Sequence, residues 1–198
     1  MIEASQPRNN VVIIRIKNPE IVKKAHNVQE EVLKRSHDFK SHLQPLRSLH
    51  LTLFVTTNVP DGKLKDAKDA LKCSAKQMNR LLKGKKFKLT LKGIHEFKKG
   101  VLYFAVRRDH NGIQKLYEIV EKEFRKRGLP SKPGKRFHPH VTLVSVSGKA
   151  EYLRKKWKIH HGVKIGTQDV ESLELCENCS VGLDPHTHDY RVTYKAHL

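Results

Sequence analysis

Phe137-His138-Pro139-His140-Val141-Thr142-Leu143-Val144 repeats, in reduced form, a stretch from the first half of the chain, Ser48-Leu49-His50-Leu51-Thr52-Leu53-Phe54-Val55. Both reduce to His, an apolar residue, Thr and Leu, followed by further apolar residues. The two histidines lie 90 positions apart in a chain of 198, close to half its length. That spacing predicts a duplicated half-domain. The apolar, β-rich surroundings predict that each copy is a strand. Side chains alternate faces along a strand, so His50 and Thr52 point one way, as do His140 and Thr142. Leu51, Leu53, Val141 and Leu143 then point into packed layers.

If the halves pack about an approximate two-fold axis, both His-Thr pairs meet across one groove. Two imidazoles and two hydroxyls converge there, with no carboxylate or thiol in either motif. Such a set suits a phosphodiester. A neutral histidine takes a proton from a hydroxyl or water, and a protonated one gives a proton to the leaving oxygen. The threonine hydroxyls hydrogen-bond the phosphoryl oxygens. Taken singly, either histidine is better explained as a strand residue on a solvated face; the matched pair is what points to a site. Nothing in the motifs says which histidine is the base.

Two H-x-T motifs on apolar strands resemble the 2H phosphoesterase superfamily, which includes LigT-like RNA phosphodiesterases. Within it, the chain is most similar to phosphoesterase-like domains of the kind found at the centre of A-kinase anchoring protein 7. The resemblance runs through residues 11–16, Asn18-Pro19-Glu20-Ile21, both motifs, Leu82-Lys83-Gly84-Lys85, Leu89-Thr90-Leu91-Lys92-Gly93-Ile94 and Leu173-Glu174-Leu175-Cys176. It implies an α+β, bilobal fold over residues 1–198, with two antiparallel sheets and outer helices around a central groove. It implies catalysis by His50, Thr52, His140 and Thr142 without cofactor or metal. The expected activity is cleavage of an RNA-type phosphodiester: 2′,5′-oligoadenylate, a 2′,3′-cyclic phosphate or an RNA 3′ end. There the 2′-hydroxyl, deprotonated by one histidine, attacks the neighbouring phosphate. The alternative is a nucleotide- or RNA-binding module that uses the same groove without turnover. A kinase-docking helix accompanies the domain in that anchoring protein; none follows Ala196 here, so kinase anchoring is not expected.

Composition fits a nucleic-acid partner. The net charge is +20, from 40 basic and 20 acidic residues, and a field of that sign draws polyanions and speeds their encounter. A solvated basic surface without a dedicated ligand is the bland alternative. Apolar residues make up 37% of the chain and charged residues 30%, the balance of a soluble globular protein. No apolar run approaches a membrane span, and residues 1–10 lack the apolar core of a signal peptide. Three cysteines, Cys73, Cys176 and Cys179, do not make a disulfide framework. A monomer in the cytosol or nucleus is expected.

The element pattern agrees with an α+β chain. Residues 11–16 read as a buried strand, and Asn18 as an N-cap with Pro19 in the first helical position. Residues 35–46 read as a polar loop. Residues 63–82 carry an apolar stripe at helical spacing, closed by Gly84. Strands are predicted at 87–97 and 101–106, a helix at 113–127, a short helix at 151–157, strands across 163–177, a loop at 178–189 and a last strand at 190–196.

Several further residues are candidates around the motifs. His138 shares the face of His140; it is assigned to the rim and not to a metal, because no third or fourth ligand has a recognisable spacing. Lys135 and Arg136 lead into the second motif and are the preferred phosphate contacts among basic residues that include Lys83, Lys85, Lys86, Lys88, Lys92 and Lys132. Phe54, Phe137 and Tyr190 are candidates to stack a base, each with a place in the core as the competing reading. Cys176-Glu177-Asn178-Cys179, with His186 and His188, has the look of a zinc clip. Only one C-x-x-C is present, however, and Cys176 continues an apolar strand pattern, so no metal is assigned.

Overall fold

The structure, a computed structural model, describes residues 8–35, 37–60, 62–97, 100–107, 111–131, 136–146, 160–178 and 190–198. The predicted helix at 151–157 and the 179–189 part of the predicted loop lie outside them. Eight strands and three α-helices are described: β1 (Arg8–Arg15), α1 (Pro19–Arg35), β2 (His50–Val59), α2 (Leu64–Leu82), β3 (Lys88–Phe97), β4 (Val101–Val106), α3 (Asn111–Arg125), β5 (His140–Ser145), β6 (His160–Asp169), β7 (Ser172–Asn178) and β8 (Arg191–His197).

Local chemistry explains most of the boundaries. Asn18 accepts from the backbone N–H groups of Glu20 and Ile21 at 2.9 and 3.4 Å, which caps α1 as its sequence predicts. α2 ends one residue earlier than glycine would dictate: Lys83 itself takes the left-handed conformation, at φ 50°, before Gly84 at φ 80°. The expected polar loop at 35–46 instead holds a 3-10 helix, His37–His42, that buries Phe39. A second 3-10 helix, Leu46–Ser48, leads into β2. A polar sequence hid the first of these because one aromatic supplies its burial.

All pairings are antiparallel, and the strand order is β6-β3-β4-β5-β2-β1-β7-β8. The expected pair of sheets is seen as two four-stranded halves of this order. They meet at the two motif strands, where β2 and β5 share one register pair, Leu51 with Val141.

Beyond that pair, each motif strand is completed by the other half. Leu43, in the segment before the first motif, bridges Val144 of β5, and the Gln44 N–H donates to the Leu143 carbonyl at 2.9 Å. Ser131, in the segment before the second motif, bridges Thr56 of β2, whose hydroxyl donates to the Pro130 carbonyl at 3.0 Å. Helices follow the same exchange: α1 packs on β5 and β6, whereas α3 packs on β2, and α2 packs on α3, β7 and β8. The main core fills the space between sheet and helices. It takes Val12, Ile14, Leu51, Leu53, Leu89, Leu91, Phe104, Val141 and Leu143 from the strands, and Ile21, Ala25, Leu71, Leu116 and Phe124 from the helices.

Candidate active site

The Leu51–Val141 pair is the pivot of the site. Both side chains are fully buried. Residues directly opposite in an antiparallel pair face the same way. The register therefore sets His50 across from Thr142 and Thr52 across from His140, all four on the face away from the main core. Each of the four is half-buried.

The two imidazoles are held identically. His50 Nδ1 lies 2.7 Å from the Ser48 carbonyl, and His140 Nδ1 lies 2.7 Å from the His138 carbonyl. A carbonyl only accepts, so Nδ1 carries the proton in both rings and Nε2 is the atom left for chemistry. The Ser48 side of this arrangement is itself braced. Gln44 Nε2 donates to the Ser48 hydroxyl at 2.8 Å, and that hydroxyl donates to the Pro45 carbonyl at 3.0 Å. Since the Gln44 N–H also bonds Leu143, one residue connects the support of His50 to the strand of His140. Gln29 Nε2 adds bonds to the carbonyls of Gln44 and Leu143 at 2.7 and 2.9 Å.

The surroundings of the two histidines differ. His140 stands edge-on to Phe97 and Tyr103, with ring centroids 5.0 and 5.3 Å away. Burial pushes its pKa below the ordinary imidazole value. The hydrogen bond to the His138 carbonyl opposes that shift, and the charge of His138 adds to it. Phe97 and Tyr103 stack on each other at 4.2 Å. His50 instead meets the ring of Tyr190 at 5.1 Å.

The other predicted site residues divide. Tyr190 stands at the site, beside His50. His138 is exposed at the rim; its Nε2 lies 3.3 Å from the Tyr103 hydroxyl and its ring 5.1 Å from Phe97. Arg136 is exposed just before the second motif, and Lys135 lies outside the described residues.

Two aromatic candidates are corrected. Phe54 is 2% exposed and packs on Phe124 of α3, so it belongs to the core. A β-bulge causes this: Val12 pairs with Phe54 but Ile13 pairs with Thr52, leaving Leu53 as the extra residue. The alternation of β2 therefore inverts, and Val55, not Phe54, joins the motif face beside Val11, Ile13 and Cys176. Phe137 stacks on Tyr117 of α3, at 4.3 Å and nearly parallel, and packs against the main core. Lys83, Lys85, Lys86, Lys88 and Lys92 are exposed at the end of α2 and on β3, with Lys86 paired to Asp169 at 3.0 Å. Cys176 is a buried strand cysteine, while Cys179, His186 and His188 lie outside the described residues.

Sequence reasoning missed Phe97, Tyr103 and Arg15. Tyr103 pairs with Thr142 across β4–β5, His95 with Tyr103 across β3–β4, and Arg15 with His50 across β1–β2. The hairpin turn at Gly100 was a signal for the β3–β4 pair. Nothing local names β4 or β1 as the neighbour of a motif strand.

This fold and paired H-x-T face define a LigT-like 2H phosphoesterase. The chain matches the sequence profile of the AKAP7 2′5′ RNA ligase-like domain over residues 9–198, and it belongs to that family. Among solved structures it is similar to Escherichia coli LigT complexed with 3′-AMP, at 18% identity and a TM-score of 0.66, covering 98% of this chain and 99% of that one. A Thermus thermophilus protein gives 20% identity and a TM-score of 0.66 over 96% of this chain and 97% of its own. The PDE domain of MHV ns2 gives 16% identity and a TM-score of 0.60 over 87% and 99%. Likeness at such identities speaks to the shared fold. Membership of the family supports phosphodiesterase-type activity. Among the described residues, no helix is long and apolar enough to cross a membrane.

Proposed function

We propose that the chain is a metal-independent phosphodiesterase acting on RNA-type phosphodiesters by two-histidine acid–base catalysis. The carrying observation is the Leu51–Val141 pair with its two identically anchored imidazoles, which turn both Nε2 atoms to one face. Family membership supports the reaction class, and the 3′-AMP complex of LigT supports a nucleotide-sized ligand. The two lobes act as one duplicated unit.

In this reading His140 is the base, because burial keeps it neutral, and His50 is the acid. His140 Nε2 takes the proton of the ribose hydroxyl beside the phosphate ester. That oxygen bonds to phosphorus, the bond from phosphorus to the departing ribose oxygen breaks, and His50 gives that oxygen a proton. The products are a 2′,3′-cyclic phosphate and a free hydroxyl. On a cyclic phosphate, water is the nucleophile and one ring P–O bond opens. Thr52 and Thr142 hydrogen-bond the non-bridging oxygens. Tyr190 by His50, and His138, Lys135 and Arg136 at the rim, contact the rest of the nucleotide.

The test is turnover in EDTA of 2′,5′-oligoadenylate, 3′,5′-linked RNA and 2′,3′-cyclic nucleotides, beside His50→Ala and His140→Ala. Cleavage of one linkage, reduced about 10²- to 10⁴-fold in each variant, is the expected result. Binding without turnover of any of them, weakened by the same substitutions, replaces this reading with a nucleotide- or RNA-binding module.

A further inference from the structure

We propose that Arg15 holds the substrate's phosphate beside His50 and that Glu174 and Lys195 set its position; this rests on the phosphodiester reading of the groove. The β1–β2 register pairs Arg15 with His50, so both side chains rise from the same face with Cβ atoms about 5 Å apart. On the other side of Arg15, β7 brings Glu174 alongside Ile13. Arg15 Nε and Nη2 donate to Glu174 Oε2 at 3.1 and 3.0 Å, and Lys195 Nζ lies 3.3 Å from Glu174 Oε1.

Three features argue that this cluster does more than join strands. First, its surroundings are apolar: Val11, Ile13, Cys176, Val55 and Val192 line the same face. Glu174 is 2% exposed there, and a buried ion pair is seldom the most stable filling for such a place. Second, the charges do not cancel. One carboxylate holds two cations, which leaves the wall one unit positive. Third, the motifs supply two imidazoles and two hydroxyls but no permanent charge, whereas a phosphodiester is anionic and gains negative charge on oxygen as the nucleophile adds. A guanidinium is planar, always charged and matched to phosphate oxygens. Glu174, by taking the donors on Nε and Nη2, fixes the plane of the fork before substrate arrives.

Arg15→Lys and Arg15→Ala test this with the cleaved substrate of the preceding section. Arg15→Lys keeps the charge and the Glu174 pair but loses the fork. Its melting temperature should match that of the unsubstituted protein while kcat falls at least tenfold. Arg15→Ala should lose about 10²- to 10³-fold in kcat/KM, and added guanidinium salt should restore a measurable part of it. Should Arg15→Ala fail to fold, Arg15→Lys decides. Activity of Arg15→Lys within threefold of the unsubstituted protein overturns the proposal. So does a folded Arg15→Ala that guanidinium leaves unchanged. Absence of turnover in the unsubstituted protein refutes the phosphodiesterase reading itself, a distinct outcome.

Discussion

His50 and His140 share an anchor and differ in their neighbours, and the difference has a measurable sign. Burial beside Phe97 and Tyr103 disfavours the imidazolium form of His140, so its pKa falls below the ordinary value of about 6.5. As the base, His140 must be neutral. The acid limb of kcat/KM is therefore expected below pH 6.5, and an NMR titration of His140 in the free protein should coincide with it. Phe97→Ala opens the ring to water and should move both upward. A limb that stays in place when Phe97 is removed would transfer the base role elsewhere. Leaving-group chemistry separates the two histidines independently. A nitrophenyl ester needs little help from an acid, so it should recover much of the activity lost in His50→Ala and little of that lost in His140→Ala. Recovery in His140→Ala alone would exchange their roles.

At the scale of elements, α2 and α3 are joined by a buried carboxylate. Glu123 of α3 is 4% exposed, accepts from Gln77 of α2 at 2.9 Å, and pairs with Lys126 and Arg127 at 2.9 and 2.8 Å. Burial raises its pKa, but the hydrogen bonds from Arg127, Lys126 and Gln77 together outweigh that and bring it down to about 2. A carboxylate depressed in the folded state stabilises fully above its unfolded pKa of about 4.5, and the benefit disappears as pH falls toward 2. The linked contribution is at most about 3 kcal/mol. Urea unfolding from pH 7 to pH 2.5 should show this loss, and Glu123→Gln should be less stable at pH 7 with a flatter pH dependence. Equal slopes for both proteins would locate the acid sensitivity in other groups. The helices themselves were legible in sequence, through the Asn18 cap and the apolar stripe of α2. The 3-10 helix at His37–His42 was not, because its one buried anchor, Phe39, makes no periodic pattern.

For the whole molecule, a net charge of +20 adds an attraction that does not depend on the catalytic face. Single-stranded RNA should bind with a log affinity that falls linearly with log salt, at about 0.7 per phosphate neutralised. His50→Ala and His140→Ala should leave that slope unchanged. Fluorescence anisotropy over a salt series measures it, and a salt-independent affinity would remove nucleic acid from the list of partners drawn by charge. The groove is a property of this scale too. Each half lends a segment to the other's motif strand, Leu43 to Val144 and Ser131 to Thr56, so neither H-x-T is fully framed by its own half.

The residues at 48–55 and 137–144 by themselves determined that two strands carry matched His-Thr pairs, and the apolar pattern around them determined an α+β chain. Both are read from periodicity, which depends only on near neighbours. Tertiary structure decided what stands beside those pairs. The bulge at Leu53 sent Phe54 into the core, and non-local registers brought Tyr103 to Thr142 and Arg15 to His50. A strand's neighbour and register are set by pairings across the whole chain, and shifting a strand by one residue exchanges its faces. The sequence therefore identified the reacting pairs, while only the folded sheet identified the walls around them.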